Sequence, residues 1–387
     1  MEEITLSVVM VAEADSPYLE CALYSVYNAL YGMDIEVFIV DRGLSGELKK
    51  KISTAFPKAS VMKGDGPGWT VAANAAMRQA SGEYLLLMDP TIMVGEETLR
   101  RFFFQLDQEP TIGALGLRIL DTHGELVPES KRSFPHLNLL LYRLYGLSDL
   151  FPRSRKYASY YLPDLTGDKE HEVDVLSAHY MLLRREALVK VDFLDESLDR
   201  RMVDIDFCLR MWQAGYKIMY MPERVLSCEP ILEKESCEDW RALIDALSGF
   251  YAKHGEKIGG LDRTLCSLGL SLYPLRRSLI SSSSHCYQPA KQRRLLILCG
   301  GSNYSTLETV ARERIPNLKG VAHWNLNEER VMGAISRRNQ IKGYTDYLFC
   351  LPDVRLDQLF LFMEKQPNKS SFYHIYIKPL NRLISLG

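Results

Sequence analysis

The sequence lacks a surplus of charge of either sign: 47 Lys and Arg stand against 49 Asp and Glu, a net charge of −2. No overall field gathers nucleic acid or an anionic membrane, so any such contact must be local. The eight cysteines, Cys21, Cys208, Cys228, Cys237, Cys266, Cys286, Cys299 and Cys350, are scattered singly with no CxxC pair. That spacing excludes an ordinary zinc site and a stapled secreted scaffold, and fits free thiols in a reducing cytoplasm. No stretch approaches the ~20 apolar residues a membrane-spanning helix needs. The start, MEEITLSVVMVAEADS, is acidic and its apolar run is too short for a signal peptide.

What is present is the composition of a globular protein, with 47% hydrophobic and 25% charged residues over 387 positions, enough for two domains. Strand-like apolar runs alternate with amphipathic stretches. Strands are expected at Ile4 to Val11, Ile35 to Val40, Ser60 to Met62 and Tyr84 to Met88, with helices at Pro17 to Leu30, Gly46 to Ala55 and Thr70 to Ala80 between them. This is the pattern of an α/β fold with a mainly parallel sheet flanked by helices. Further strands are expected at Gly113 to Asp121, Val173 to Leu183 and Lys217 to Met221, and a helix at Met202 to Ala214. Between Ser133 and Lys169 a Tyr/Leu/Arg-rich insertion reads as a helical excursion over the sheet or an acceptor-side lid. The expected division is 1–255 for the first domain, 256–293 for a helical, basic linker and 294–387 for a smaller C-terminal α/β domain. In that last unit Gly300, Gly301 and Ser302 lie between a strand and a helix, which suits an anion but falls short of a dinucleotide fingerprint.

Ligands of parallel sheets sit beyond the carboxyl ends of the strands. Those ends carry Asp41 in EVFIVDRGLSGE, the glycines of Gly64-Asp65-Gly66-Pro67-Gly68, and Asp89 in YLLLMDPTIMV. A strand-end carboxylate can accept hydrogen bonds from a base or ribose, and glycines let backbone approach a ligand. Each is also ordinary turn chemistry.

In order and phrasing, VVMVAEADSPYLECALYSV, FIVDRGLSG, GWTVAANAAMRQASGEYLLLMDPTIMV, VDVLSAHYMLLRREALVKVDFLDESL and VDIDFCLRMWQAGYKIMYMPERVL resemble family 2 glycosyltransferases, in particular the rhamnosyltransferase-like branch. The resemblance covers about residues 4 to 230. It implies a GT-A fold and an inverting transfer of a sugar from a nucleoside diphosphate sugar to a bacterial surface-glycan or lipid-linked acceptor, in the cytoplasm or at the inner face of its membrane. It places Ala12, Asp41, Gly68, Asn74 and Asp89 on the donor nucleotide, and Asp89 on a Mg²⁺ or Mn²⁺ ion bridging the diphosphate. It makes Asp204 the general base that takes the acceptor's proton, with His179 and Trp212 on the acceptor side. The Leu- and Arg-bearing run LDRTLCSLGLSLYPLRRSLI is either a membrane-interface contact or a packing helix interrupted by Pro274.

Several positions depart from the pattern. Glu13 and Ala14 stand where the first turn usually has Tyr-Asn, and Arg42 follows the base-binding Asp. Thr91 replaces the last metal-motif carboxylate, Val203 the Glu of a Glu-Asp pair, and Ser227 a frequent His. These favour a second class, a GT-A protein that binds carbohydrate or a partner without transfer. A sugar-phosphate nucleotidyltransferase is excluded by the missing glycine-rich basic loop near the N-terminus.

Overall fold

A computed structural model describes residues 5–198, 200–229, 237–254, 260–280, 292–341, 343–366 and 371–386. Ile4, the expected start of the first strand, the 255/256 boundary and the serine-rich part of the linker at 281–291 lie outside the described residues.

Nine strands make the larger sheet: β1 (Leu6–Ala12), β2 (Ile35–Asp41), β3 (Ala59–Lys63), β4 (Tyr84–Met88), β5 (Ile92–Val94), β6 (Ile112–Leu120), β7 (His171–Glu172), β8 (Tyr180–Arg184) and β9 (Lys217–Ser227). Their order is β3-β2-β1-β4-β8-β6-β9-β5, with β7 paired to β9. The block β3-β2-β1-β4 is parallel, β8 runs antiparallel to both β4 and β6, and β6 and β9 are parallel again.

The sequence dictates this arrangement locally. In β1 and β4 every residue is buried, so LSVVMVA and YLLLM, apolar but for Ser7 and the Tyr84 hydroxyl, are covered on both faces. Each such Val or Leu contributes about 1.5–3 kcal/mol relative to leaving it exposed. The Gly68–Gln79 helix packs close to β1 and β2 because it presents Ala72, Ala73 and Ala76, all fully buried. Ser45 starts the Gly46–Ala55 helix by accepting from Leu48 N at 3.2 Å.

Two expectations shift. The strand expected over Val173 to Leu183 is paired as β8 only from Tyr180, because Val173 N bonds Ile218 O at 2.9 Å and Val175 bridges to Arg132 instead. β9 runs on to Ser227, beyond Met221. The 133–169 insertion holds short helices at Leu137–Leu144 and Leu147–Leu150 and a 3-10 turn at Ser159–Tyr161.

A second sheet, β11-β10-β12-β13-β14, is built from β10 (Arg293–Cys299), β11 (Leu318–Asn325), β12 (Asp346–Leu351), β13 (Phe372–Ile377) and β14 (Arg382–Leu386), parallel except for β14. It shares a hydrophobic cluster with the first: Cys21, Met93, Leu120, Leu226 and Cys228 pack with Leu356, Phe360 and Met363. Around this cluster Arg224 Nε donates to Glu364 Oε2 at 2.7 Å, and Leu356 N donates to Glu96 Oε1 at 2.9 Å.

Candidate active site

The register of β1 on β2 pairs Ala12 with Asp41, so both stand at the carboxyl edge of the parallel block. The Asp41 carboxylate is committed to its own turn. Oδ1 accepts from Gly43 N at 3.0 Å and Leu44 N at 2.7 Å, and Oδ2 from Lys49 Nζ at 2.9 Å. Burial raises its pKa, but the Lys49 ammonium and the two backbone donors outweigh burial and hold the carboxyl below its usual value. A Cβ at Gly43 would lie 2.5 Å from Glu13 O, so the turns after β1 and β2 meet where only glycine fits.

Arg42 ties the next turn down. Its Nη1 donates to Gly66 O at 3.1 Å and Gly68 O at 2.8 Å, while its Nε lies 3.7 Å from Glu13 Oε1. Gly68 has φ +87 and opens the Gly68–Gln79 helix, a left-handed start that suits glycine. Glu13 and Arg42, two of the departures from the family pattern, therefore work as a pair.

The antiparallel pairing of β4 and β8 ends at Met88 opposite Tyr180, which sets Asp89 beside His179: Asp89 N donates to His179 O at 2.8 Å. Asp89 Oδ1 accepts from Thr91 N at 3.0 Å and from Thr91 Oγ1 at 2.7 Å, and Oδ2 lies 3.8 Å from Arg200 Nη2. Burial and the Asp89 charge push the nearby Glu229 carboxyl above its usual pKa.

Next to His179 in sequence, Ala178 N lies 3.4 Å from Oδ2 of Asp204, in the first turns of the Arg200–Gln213 helix. The same Oδ2 accepts from Arg132 Nη2 at 2.5 Å, and both side chains are buried. Arg132 Nη2 also donates to Leu176 O at 3.0 Å. The His179 ring bonds Ser177 Oγ through Nδ1 at 2.8 Å. Burial lowers its pKa, and it feels the charges of Asp89, Arg200, Asp204 and Arg132. Asp89, His179 and Asp204 thus share one site, joined by Arg132 and Arg200, which sequence reasoning passed over.

Residues 7–191 match the family model described as glycosyl transferase family 2. This part of the chain belongs to that family. The N-acetylglucosaminyl-diphospho-decaprenol L-rhamnosyltransferases of Mycobacterium tuberculosis strains CDC 1551 / Oshkosh and ATCC 25618 / H37Rv are each 25% identical over 229 residues, covering 56% of this chain and 73% of theirs. Among solved structures, the Pyrobaculum calidifontis mannosyltransferase PcManGT in complex with GDP-Man and Mn2+ is similar at 14% identity and a TM-score of 0.45, over 79% of this chain and 80% of its own. S. aureus TarS 1-349 in complex with UDP-GlcNAc is similar at 16% identity and a TM-score of 0.43, over 73% of this chain and 75% of its own.

The family 2 match takes in Asp41, Asp89 and His179 and stops short of Arg200 and Asp204. Two other candidates on this GT-A fold face elsewhere. Asn74 is fully buried, and its Nδ2 donates to Leu194 O and Glu196 Oε1, both at 2.8 Å, while its Oδ1 accepts from Leu194 N at 3.1 Å. Trp212 is exposed, with its ring centroid 6.5 Å from that of Phe134, and lies two helical turns along from Asp204. Asp206 anchors the end of the Cys237–Lys253 helix, accepting from Lys253 Nζ at 2.5 Å and Arg210 Nε at 2.7 Å. Arg184 is spent on the carbonyls of Leu106 and Ile112. Ser227 turns back on its own chain, donating to Glu229 O at 2.6 Å.

In the second sheet the Gly300 turn already holds an anion of its own, since Asp353 Oδ2 accepts from Gly300 N at 2.9 Å and Asn303 Nδ2 at 2.6 Å. The run with Pro274 is a helix, Gly260–Ile280, packed on Leu137–Leu144, with Tyr145 Oη donating to Leu265 O at 2.9 Å. No helix among the described residues is long and apolar enough to cross a membrane.

Proposed function

We propose that the chain transfers a sugar from a nucleoside diphosphate sugar to an acceptor hydroxyl with inversion at the anomeric carbon. The supporting observation is that His179, bonded through its backbone to Asp89 at the carboxyl end of β4, lies within the field of both the Asp89 and Asp204 carboxylates. In this reading the donor lies over Ala12, Asp41 and Gly68, and its diphosphate lies toward Asp89. Asp204 takes the acceptor's proton as that oxygen bonds to the anomeric carbon, and the breaking C–O bond leaves its electron pair on the nucleoside diphosphate. Arg132 fixes the direction of the Asp204 carboxylate, whose Oδ1 accepts from Ile205 N in its own turn. Neutral His179 contacts the acceptor.

The similarity to decaprenol-linked rhamnosyltransferases supports a hexosyl or rhamnosyl donor and a lipid-linked or surface-glycan acceptor. Exposed Leu150, Phe151, Leu268 and Leu272 would then face the membrane that carries such an acceptor. Residues 1–255 form the transferase domain in this proposal, 256–293 the linker and 294–387 an accessory domain. A panel of nucleotide sugars with a prenyl-diphosphate-linked glycan acceptor tests it. Wild type should turn over one donor, and Asp204→Asn should abolish turnover while leaving donor affinity within about twofold, as expected for loss of a base alone.

The short Arg132–Asp204 pair also supports a second reading, a binding module in which Asp204 is structural. Wild type that binds the donor yet transfers nothing to any acceptor in the panel would favour it.

A further inference from the structure

Arg200 opens the Arg200–Gln213 helix, where the helix dipole disfavours a cation, and no acidic residue stands in that first turn. A local rule broken in this way marks a position held for another purpose. The guanidinium is ringed by residues from two strand ends and one helix start. Nη1 lies 3.4 Å from Glu13 Oε2 after β1, Nη2 lies 3.8 Å from Asp89 Oδ2 after β4, and the group sits 4.8 Å from the centroid of the Trp69 ring, in the first turn of the Gly68–Gln79 helix that follows β3. The side chain nevertheless keeps 46% of its surface exposed.

This arrangement leaves a divalent ion a single oxygen of Asp89, beside a cation. Asp89 gives one oxygen to Thr91 and turns the other to Arg200. Among the described residues no group of three His, Cys, Asp or Glu side chains is placed to hold a metal. An ion on Asp89 would share its remaining oxygen with a fixed positive charge, at a repulsive cost. With Arg200 beside the one carboxylate oxygen left for an ion, the residues present fit Mg²⁺ or Mn²⁺ poorly.

We infer that Arg200 is the cation that meets the diphosphate of the sugar nucleotide in this chain, in the place where related folds use a metal ion. The inference rests on the transferase reading above. A guanidinium carries five N–H donors in a planar fork. It can keep Glu13 and Asp89 on one side and still offer donors to phosphate oxygens, with the Trp69 face fixing its plane. When the anomeric C–O bond breaks, its electron pair goes to the terminal phosphate oxygen, and the Arg200 charge offsets what develops there. Asp89 is then a positioning residue for Arg200.

Titration calorimetry with UDP, GDP, CDP, ADP and dTDP, each in excess EDTA and in millimolar Mn2+, tests this on the full chain. The expected result is binding of at least one nucleotide that EDTA leaves unchanged. Arg200→Ala should weaken it by about 10- to 100-fold, the range for charge-assisted hydrogen bonds, with partial recovery in Arg200→Lys. Arg312→Ala, a surface change in the Tyr304–Arg314 helix, serves as control. Binding that needs Mn2+ and ignores Arg200→Ala overturns the inference and leaves the transferase reading standing. Absence of binding to every nucleotide in both conditions overturns both.

Discussion

Arg132 Nη2 stands 2.5 Å from Asp204 Oδ2, a contact between residues 72 positions apart that leaves the two side chains only 8% and 11% exposed. Burial alone would loosen the Arg132 proton, but the Asp204 charge outweighs it and raises the pKa well above the usual value. Arg132 also supports the strand exchange around it, bonding Val175 through its backbone and Leu176 O through its side chain. A carboxylate held this way is accurately aimed.

Removing one partner strands a buried charge. Arg132→Met should therefore destabilise the protein by about 3–5 kcal/mol, whereas Arg132→Met combined with Asp204→Leu should recover most of that loss. Urea unfolding of the two singles and the double closes the cycle. A double variant as unstable as the sum of the singles would show that the pair is not coupled.

His179 links the same site to pH. Burial lowers its pKa from 6.5, so in the window just below that value the unfolded chain binds more protons than the folded one. Stability then rises with pH through the window and is lost as pH falls below about 6.5. Urea midpoints taken on either side of that value should differ more in wild type than in His179→Gln. Equal differences would place the ring in a solvated environment.

Asn74 offers the opposite test. Its amide bridges the Gly68–Gln79 helix to the backbone at Leu194, with no polar atom left toward the strand ends. Asn74→Ala should cost about 1–3 kcal/mol of stability through unsatisfied buried groups and leave the nucleotide dissociation constant unchanged. A tenfold loss of nucleotide affinity without destabilisation would return the residue to the donor site.

Why some of this was legible from sequence and some was not follows from range. β1, β2 and β4 are continuous or nearly continuous apolar runs closed by Asp41 and Asp89, and local pattern suffices to find them. The Thr98–Gln108 helix shows Leu99, Phe102, Phe103 and Leu106 at helical spacing and is readable in the same way, though no element is assigned to it from sequence. β5 is three residues long and exists because β9 reaches it, so nothing local announces it. The Arg132–Asp204 and Arg200–Asp89 pairs are set by how distant strands meet, and charge type alone does not show them. The one local hint was the cation Arg200 at a helix start.

The docking of the second sheet gives the last test, through Gly124. This residue has φ +75 in the turn after β6, and a Cβ there would lie 2.5 Å from both C and O of Met363. The obstacle is helix backbone, which cannot rotate aside as a side-chain tip could. In that helix, Leu356–Lys365, Glu364 receives Arg118 and Arg224 from the first sheet, and Met363 joins the shared cluster with Leu120 and Leu226. Gly124→Ala should therefore push the helix off its seat, at a cost of about 1–3 kcal/mol for overpacking, together with the strain of a left-handed alanine. Hydrogen exchange should speed up over Leu356–Lys365 and spare β1 and β4, because those strands are held by clusters that the helix does not enter. Uniformly faster exchange across both sheets would mean that the two unfold as one cooperative unit.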